Sequence, residues 1–280
     1  LTKNNADFQY IGKDFNISNF INHNEYNEEK FKDSLIFYEE GVEVTLDEAN
    51  NQIKINQIIS GAKTFIINGK LKDTNLIYEG FVPINNNIVK PRDFPINERG
   101  LTGCLTLINL EVQNVNVNAS NSSCEDSVNF INTSGNVNNI NILNSMSDAF
   151  DVDFSYLKIK KIFIDKAKND CVDFSFGNYE ISDLQLSNCG DKALSVGEKS
   201  KLSLIQLEAK NSVIGVASKD SSIVNIQNAK FNSVGTCLAA YKKKQEFEGG
   251  VINYNKMNCD FIKEQRNQDK SSLINKNEKI

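Results

Sequence analysis

Five aspartates in the segments SDAFDVDF and NDCVDFSF are the residues best suited to chemistry: Asp148, Asp151, Asp153, Asp170 and Asp173. Two carboxyl groups can cleave a glycosidic bond, one as acid and one as base or nucleophile. A carboxylate beside a lysine suits proton abstraction and β-elimination from uronic acids. We expect Asp148, Asp170 and Asp173 to act as acid and base groups. If Ca²⁺ binds, we expect Asp151, Asp153 and Asp173 to hold it.

Cationic residues follow these acids along the chain, first Lys192 and Lys219 and then the run 242–244. Stacked carboxylates about 5 Å apart repel by roughly 1–3 kcal/mol, so cations, a metal or a held proton must offset them. We expect Lys192, Lys219 and Lys243 to bind substrate charge. Tyr241 could stack on a sugar. In the alternative interpretation, these residues form the solvated face and turns of a scaffold.

An internal repeat determines how these side chains are positioned. Apolar residues recur every 22 positions at Val128, Phe150, Val172, Leu194, Val216 and Leu238, with Leu105 one residue off the series. A second series contains Ile142, Ile164, Leu186 and, after 21 residues, Leu207. Apolar and polar residues alternate around both series, as in β-strands with one buried face. This period predicts a right-handed parallel β-helix, because leucine-rich repeats need another motif and propellers a longer period.

The repeat also predicts which outward-facing residues lie above one another. Three columns follow: Asp126, Asp148, Asp170, Lys192, Ile214 and Thr236; then Asn129, Asp151, Asp173, Ser195, Ala217 and Ala239; then Ile131, Asp153, Ser175, Gly197, Lys219 and Tyr241. The sequence therefore predicts a carboxylate cluster beside a lysine cluster along one groove.

We expect one domain spanning residues 1–280. Residues 1–42 should cap the N-terminal end, 43–262 should form the coils, and 263–280 should be a C-terminal cap or tail. The segment 82–100 contains all three prolines and is predicted to be an excursion from the coils. It could cover Asp151 and Asp173 or leave them in an open groove.

Composition excludes several classes of function. A formal net charge of −5 argues against a nucleic-acid binder, and no apolar run is long enough to span a membrane. His23 is the single histidine, remote from the aspartates, so histidine-based nucleophilic catalysis lacks a base. The six cysteines form no CxxC pair, which argues against zinc. We expect most of them to be small buried residues rather than disulfides, in a secreted or cell-surface protein whose leader is not in this chain.

The coils from about residue 100 to 250, including GCLTL, SDAFDVDFS, NDCVDFSFG and CGDKALSVGEKS, resemble a group of bacterial right-handed β-helix proteins found beside spore-coat-kinase-like surface proteins. That resemblance implies a pectate-lyase-like fold and no settled activity. The chain is more loosely similar to polygalacturonases. Asp148, Asp170 and Lys219 match positions of that family's catalytic coils. One Asp, the His and the Arg of its pattern are missing, which argues against ordinary inverting pectin hydrolysis.

Two hypotheses follow from these patterns. In the first, the protein acts on an acidic or amino-sugar polysaccharide as a hydrolase, lyase or epimerase. In the second, it is a non-catalytic surface scaffold that binds glycan or Ca²⁺. A third, a subunit of a larger fibre-like assembly, fits the polar coil surface less well.

Overall fold

A computed structural model describes residues 26–81 and 101–277, which contain β-strands and no helix, and hence no helix able to cross a membrane. The strands are β1 Asn27–Phe31, β2 Ser34–Tyr38, β3 Val42–Asp47, β4 Gln52–Gln57, β5 Thr64–Ile67, β6 Lys70–Lys72, β7 Asn75–Glu79, β8 Gly103–Ile108, β9 Glu111–Ser120, β10 Asp126–Ile131, β11 Ser134–Ser145, β12 Asp148–Asp153, β13 Tyr156–Ala167, β14 Val172–Ser175, β15 Asn178–Gly197, β16 Lys201–Lys219, β17 Ile223–Tyr241, β18 Val251–Gln268 and β19 Leu273–Lys276. His23, residues 1–25 of the expected cap, the expected excursion at 82–100 and residues 278–280 lie outside the described ranges.

The strands stack as the coils of a parallel β-helix with three faces. Sheet 1 contains β5, β8, β10, β12, β14 and the C-terminal parts of β15 to β18. Sheet 2 is short and begins at β6, and sheet 3 begins at β4 and β7. Strands β9, β11 and β13 run through sheets 2 and 3. The acids of interest therefore all lie on sheet 1.

Alternation of side chains produces the core. In β12, Phe150 and Val152 are fully buried inside the coil, whereas Asp151 and Asp153 project outwards. Phe130, Phe150 and Phe174 lie on successive coils and pack edge to face, with ring centroids 5.2 and 6.2 Å apart. Each buried phenylalanine contributes about 1.5–3 kcal/mol through removal from water. Like side chains on adjacent coils thus form a continuous apolar column.

The predicted 22-residue register is confirmed on sheet 1. Val128 pairs with Phe150, and the same step continues through Val172 and Leu194. On sheet 3, the predicted alignment of Leu207 with Leu186, the last step of the second series, is wrong. Leu186 pairs with Ala209, and Leu207 pairs with Leu184. The coil that contains Leu207 is one residue longer than its predecessor there, so the 21-residue step does not follow the register.

The two ends of the described solenoid differ. At the N-terminal end, β1 and β2 form a hairpin, β2 pairs antiparallel with β5, and β3 pairs antiparallel with β4. At the C-terminal end, stacking continues past the boundary expected at residue 262, because β18 runs on and β19 pairs parallel with its first residues.

The expectation for the cysteines was wrong. Three disulfides form: Cys104–Cys124, Cys171–Cys189 and Cys237–Cys259. Their sequence separations of 18 to 22 residues are close to the length of one coil, so each bond links the beginning and end of one turn of the solenoid. Disulfides persist in oxidising compartments such as the extracellular space. The chain is therefore built for an oxidising environment.

Candidate functional site

In the first column of sheet 1, three acids are followed by a cation, Lys192. Asp170 donates its backbone N–H to Asp148 Oδ1 at 2.7 Å, and Lys192 donates its backbone N–H to Asp170 Oδ1 at 2.9 Å. The Lys192 ammonium lies 3.3 Å from both oxygens of Asp170 and also bonds Asp191. The stacking predicted for these residues is thus observed. Asp170, 3 % exposed, is the most enclosed of the three predicted catalytic aspartates.

The second column places Asp151 directly above Asp173. Asn129, one coil earlier, donates from Nδ2 to Asp151 Oδ2 at 2.5 Å. Asp173 Oδ2 lies 3.3 Å from Lys219 Nζ, whereas its Oδ1 has no hydrogen-bond partner. Ser195, below it and fully buried, also has an unpartnered hydroxyl. One oxygen of Asp173 is therefore fixed by Lys219, and the other is buried without a hydrogen-bond partner.

The third column explains how Lys219 reaches two coils back. Gly197 precedes Lys219 in this column, and a Cβ on it would lie 2.7 Å from Lys219 Cε. The side chain of Lys219 thus passes over the coil that contains Gly197, through the space that a side chain at residue 197 would fill. Lys219 is 4 % exposed along this path. A side chain at residue 197 would therefore force the far end of Lys219 to shift.

Protons and cations both offset the crowded carboxylates. Burial raises the pKa of Asp126 to about 7 and the pKa values of Asp148 and Asp153 to about 6. Burial, then the charges of Asp153 and Asp126, raises the pKa of Asp151 well above its ordinary value. Burial also raises the pKa of Asp170, against the opposing charge of Lys192. Asp126 therefore holds its proton to near neutral pH, whereas Asp148 and Asp153 lose theirs above about pH 6.

The two lysines remain protonated. Burial alone lowers the pKa of Lys192, but the hydrogen bond with Asp191 and the charge of Asp170 outweigh it, so the pKa is raised. For Lys219, the charges of Asp173 and Glu198 outweigh burial in the same way and raise the pKa. Such lysines stabilise negative charge and are poor proton acceptors at neutral pH.

The other predicted binding residues lie at the edge of this cluster. Tyr241 is half-buried, next to Lys219 in the register, and burial raises its pKa. Lys243 is exposed, and its backbone N–H bonds Asp220 Oδ1 at 2.7 Å. Lys244, not singled out from the sequence, instead reaches Glu198 Oε1 at 2.8 Å.

Other residues of the site were missed by sequence reasoning. Asp126 and Asn129 extend the acidic columns by one coil; the repeat placed both in these columns, but the sequence interpretation gave them no role. Gly197 has no signal of its own, because its role depends on the path of another side chain. No group of three or more potential metal ligands is assembled in the described ranges. The calcium site at Asp151, Asp153 and Asp173 stays a prediction.

No family model, curated protein or solved structure matches the chain. The resemblance to pectate-lyase-like proteins therefore stays a prediction.

Proposed function

We propose that this β-helix acts on an acidic or amino-sugar polysaccharide through the carboxyl groups of sheet 1. The observation that carries this proposal is the contrast between Asp151 and Asp173, which lie one above the other. Burial and neighbouring acids raise the pKa of Asp151, which favours its protonated form. Asp173 faces the ammonium of Lys219 and has one unpartnered oxygen. Paired carboxyls in contrasting environments are suited to acid–base chemistry.

In this proposal, Asp151 donates a proton to the leaving oxygen and Asp173 acts as base or nucleophile. Strands on adjacent coils lie about 4.8 Å apart. That spacing is near the roughly 5–5.5 Å between carboxyls of retaining glycosidases and shorter than in inverting ones. A hydrolase of this kind would therefore retain the anomeric configuration.

The remaining predicted residues take supporting roles. Asp148, with a pKa of about 6, is a second proton donor close to the pair. Asp170 is enclosed by Lys192 and fits the role of holding that lysine. Lys192 and Lys219 would bind substrate charge, or the negative charge that develops in an elimination. Because both lysines remain protonated, the base of a lyase or epimerase would be a carboxylate.

A glycan-degradation screen with and without Ca²⁺ tests this proposal. New reducing ends without ultraviolet absorbance indicate a hydrolase, and absorbance of unsaturated uronates indicates a lyase. Asp151→Asn and Asp173→Asn should each lower the activity by at least about 100-fold. Asp183→Asn is the matched control, because Asp183 lies on sheet 3. Activity that is unchanged in both site variants contradicts the proposal.

We propose the non-catalytic scaffold as the second candidate. Its support is that Asp170 and Lys219 are only 3 % and 4 % exposed, so their charges are already paired within the protein. A secreted scaffold would use the three disulfides for rigidity. No degradation across the panel, together with retained glycan binding, would favour this candidate.

A further inference from the structure

The turns that follow most of the sheet 1 strands contain a residue in the left-handed region. At Asn109 and Asn132 the φ angles are 54° and 48°, and at Phe154 and Phe176 on the next two coils they are 51° and 49°. Asparagine adopts this conformation readily, whereas a bulky aromatic residue is strained there. Strain of this kind concentrates at functional sites. Two successive phenylalanines at this turn therefore require a reason beyond folding.

These phenylalanines form an aromatic edge together with Phe247 and Lys199. The rings of Phe154 and Phe176 are stacked, with centroids 4.8 Å apart and an interplanar angle of 7°. Phe247, in the segment between β17 and β18, lies 6.2 Å from Phe176 at 60°. Lys199 Nζ is 5.8 Å from the centroid of the Phe247 ring. All three rings remain partly exposed.

The aromatic edge lies in a positively charged surface. The exposed lysines of the flanking segments are Lys199, Lys201, Lys242, Lys243 and Lys244, and the exposed acids are Glu246 and Glu248. Because Lys244 is paired with Glu198, the balance of the other exposed charges is 4 − 2 = 2. Glu198 and Asp220 are also near, but they are buried and engaged by Lys244 Nζ and by the backbone N–H groups of Lys243 and Lys244. The outward-facing charge is thus cationic.

The aromatic edge is continuous with the acidic site. Phe154 follows Asp153 directly, and Phe176 comes three residues after Asp173 on the next coil. A chain ligand that passes Asp173 and follows the strand direction would reach this edge. Because the two stacked rings cover each other's faces, they present their edges, whose hydrogens carry partial positive charge. Ring edges beside ammonium groups favour an anionic group.

We infer that the aromatic edge is a binding subsite for the carboxylate or sulfate groups of an anionic polysaccharide. This inference rests on the proposed function and names its substrate class: a polymer of uronic acids or sulfated sugars. The rings would fix the sugar, and Lys199, beside Phe247, would bind its charge.

Replacing the two phenylalanines by the residue of the neighbouring coils tests the inference. Phe154→Asn and Phe176→Asn relieve the backbone strain, so the unfolding temperature should stay unchanged or rise. The affinity of these variants for polygalacturonate or for a sulfated dextran should nevertheless fall at least 10-fold. Whichever of the two polymers the wild type binds more tightly shows whether the subsite prefers carboxylate or sulfate groups. Phe163→Asn is the matched control, because Phe163 lies on sheet 3 next to Asn141 and is 36 % exposed. Neutral dextran should not bind.

Failure of the inference and failure of the proposed function differ in this experiment. Wild-type affinity in the phenylalanine variants, or no binding of either anionic polymer by the wild type, overturns the subsite. A fall in unfolding temperature that accompanies the loss of binding also overturns it, because the rings would then be packing residues. Loss of binding in these variants, with no turnover by any protein, contradicts only the catalytic proposal.

Discussion

Lys219 and Asp173 are 46 residues apart in sequence, yet the ammonium of the lysine lies 3.3 Å from Oδ2 of the aspartate. The lysine side chain spans two coils to make this contact, through the space left by Gly197. The contact holds one oxygen of Asp173 and leaves the other without a partner. An aspartate fixed in this way is pre-organised for chemistry on a bound ligand.

Gly197→Ala should break this contact. A methyl group at residue 197 would lie 2.7 Å from Lys219 Cε, so the lysine must leave its path and uncouple from Asp173. We expect a loss of about 1–3 kcal/mol in the free energy of unfolding, because the added methyl group overpacks the path of Lys219. Denaturant unfolding measures the loss. In a Lys219→Ala background, Gly197→Ala should lower the free energy of unfolding much less. An equal loss in both backgrounds would show that the added methyl group does not clash with Lys219.

Stability should depend on pH through the buried acids. Asp126 has a folded pKa of about 7 against an ordinary value of 3.8, so the folded state holds its proton to higher pH than the unfolded state. The resulting stabilisation is complete below about pH 4 and is lost as the pH rises to about 7, with an upper bound of about 4 kcal/mol. Asp126→Asn should therefore flatten the decline in unfolding temperature between pH 5 and pH 8. If the unfolding temperature of Asp126→Asn declines as steeply with pH as that of the wild type, the pKa assigned to Asp126 is wrong. Asp183→Asn is the control and should show the same decline as the wild type.

The disulfides should contribute separately to stability. Each closes a loop of 18 to 22 residues, which corresponds to about 3 kcal/mol from the reduced entropy of the unfolded chain. We expect the paired substitution of Cys171 and Cys189 by serine to cost about that much in denaturant unfolding. Mass spectrometry after alkylation without a reductant should find no modified cysteine in the native protein. Alkylation at any of the six positions would show that its disulfide is absent.

The repeat predicted the fold and the three columns because parallel strands inherit their register from the period of the sequence. Asp148 and Asp170 could be placed together for that reason alone. The path of Lys219 could not be predicted, because it depends on the missing side chain of Gly197. The disulfides were missed because a spacing of one coil brings two cysteines near each other only once the corner geometry is known. The strained turn at Phe154 has no signal in strand alternation, since it lies outside the strands.

The pH dependence of polysaccharide turnover tests the central claim most directly, measured for the wild type, Asp173→Asn and Asp183→Asn on the best substrate of the screen. If the acids of sheet 1 carry the reaction, turnover should decline above about pH 6, where the second proton donor, Asp148, loses its proton. It should be at least about 100-fold lower in Asp173→Asn and unchanged in Asp183→Asn. Equal turnover by the wild type and Asp173→Asn across the pH range would contradict the account.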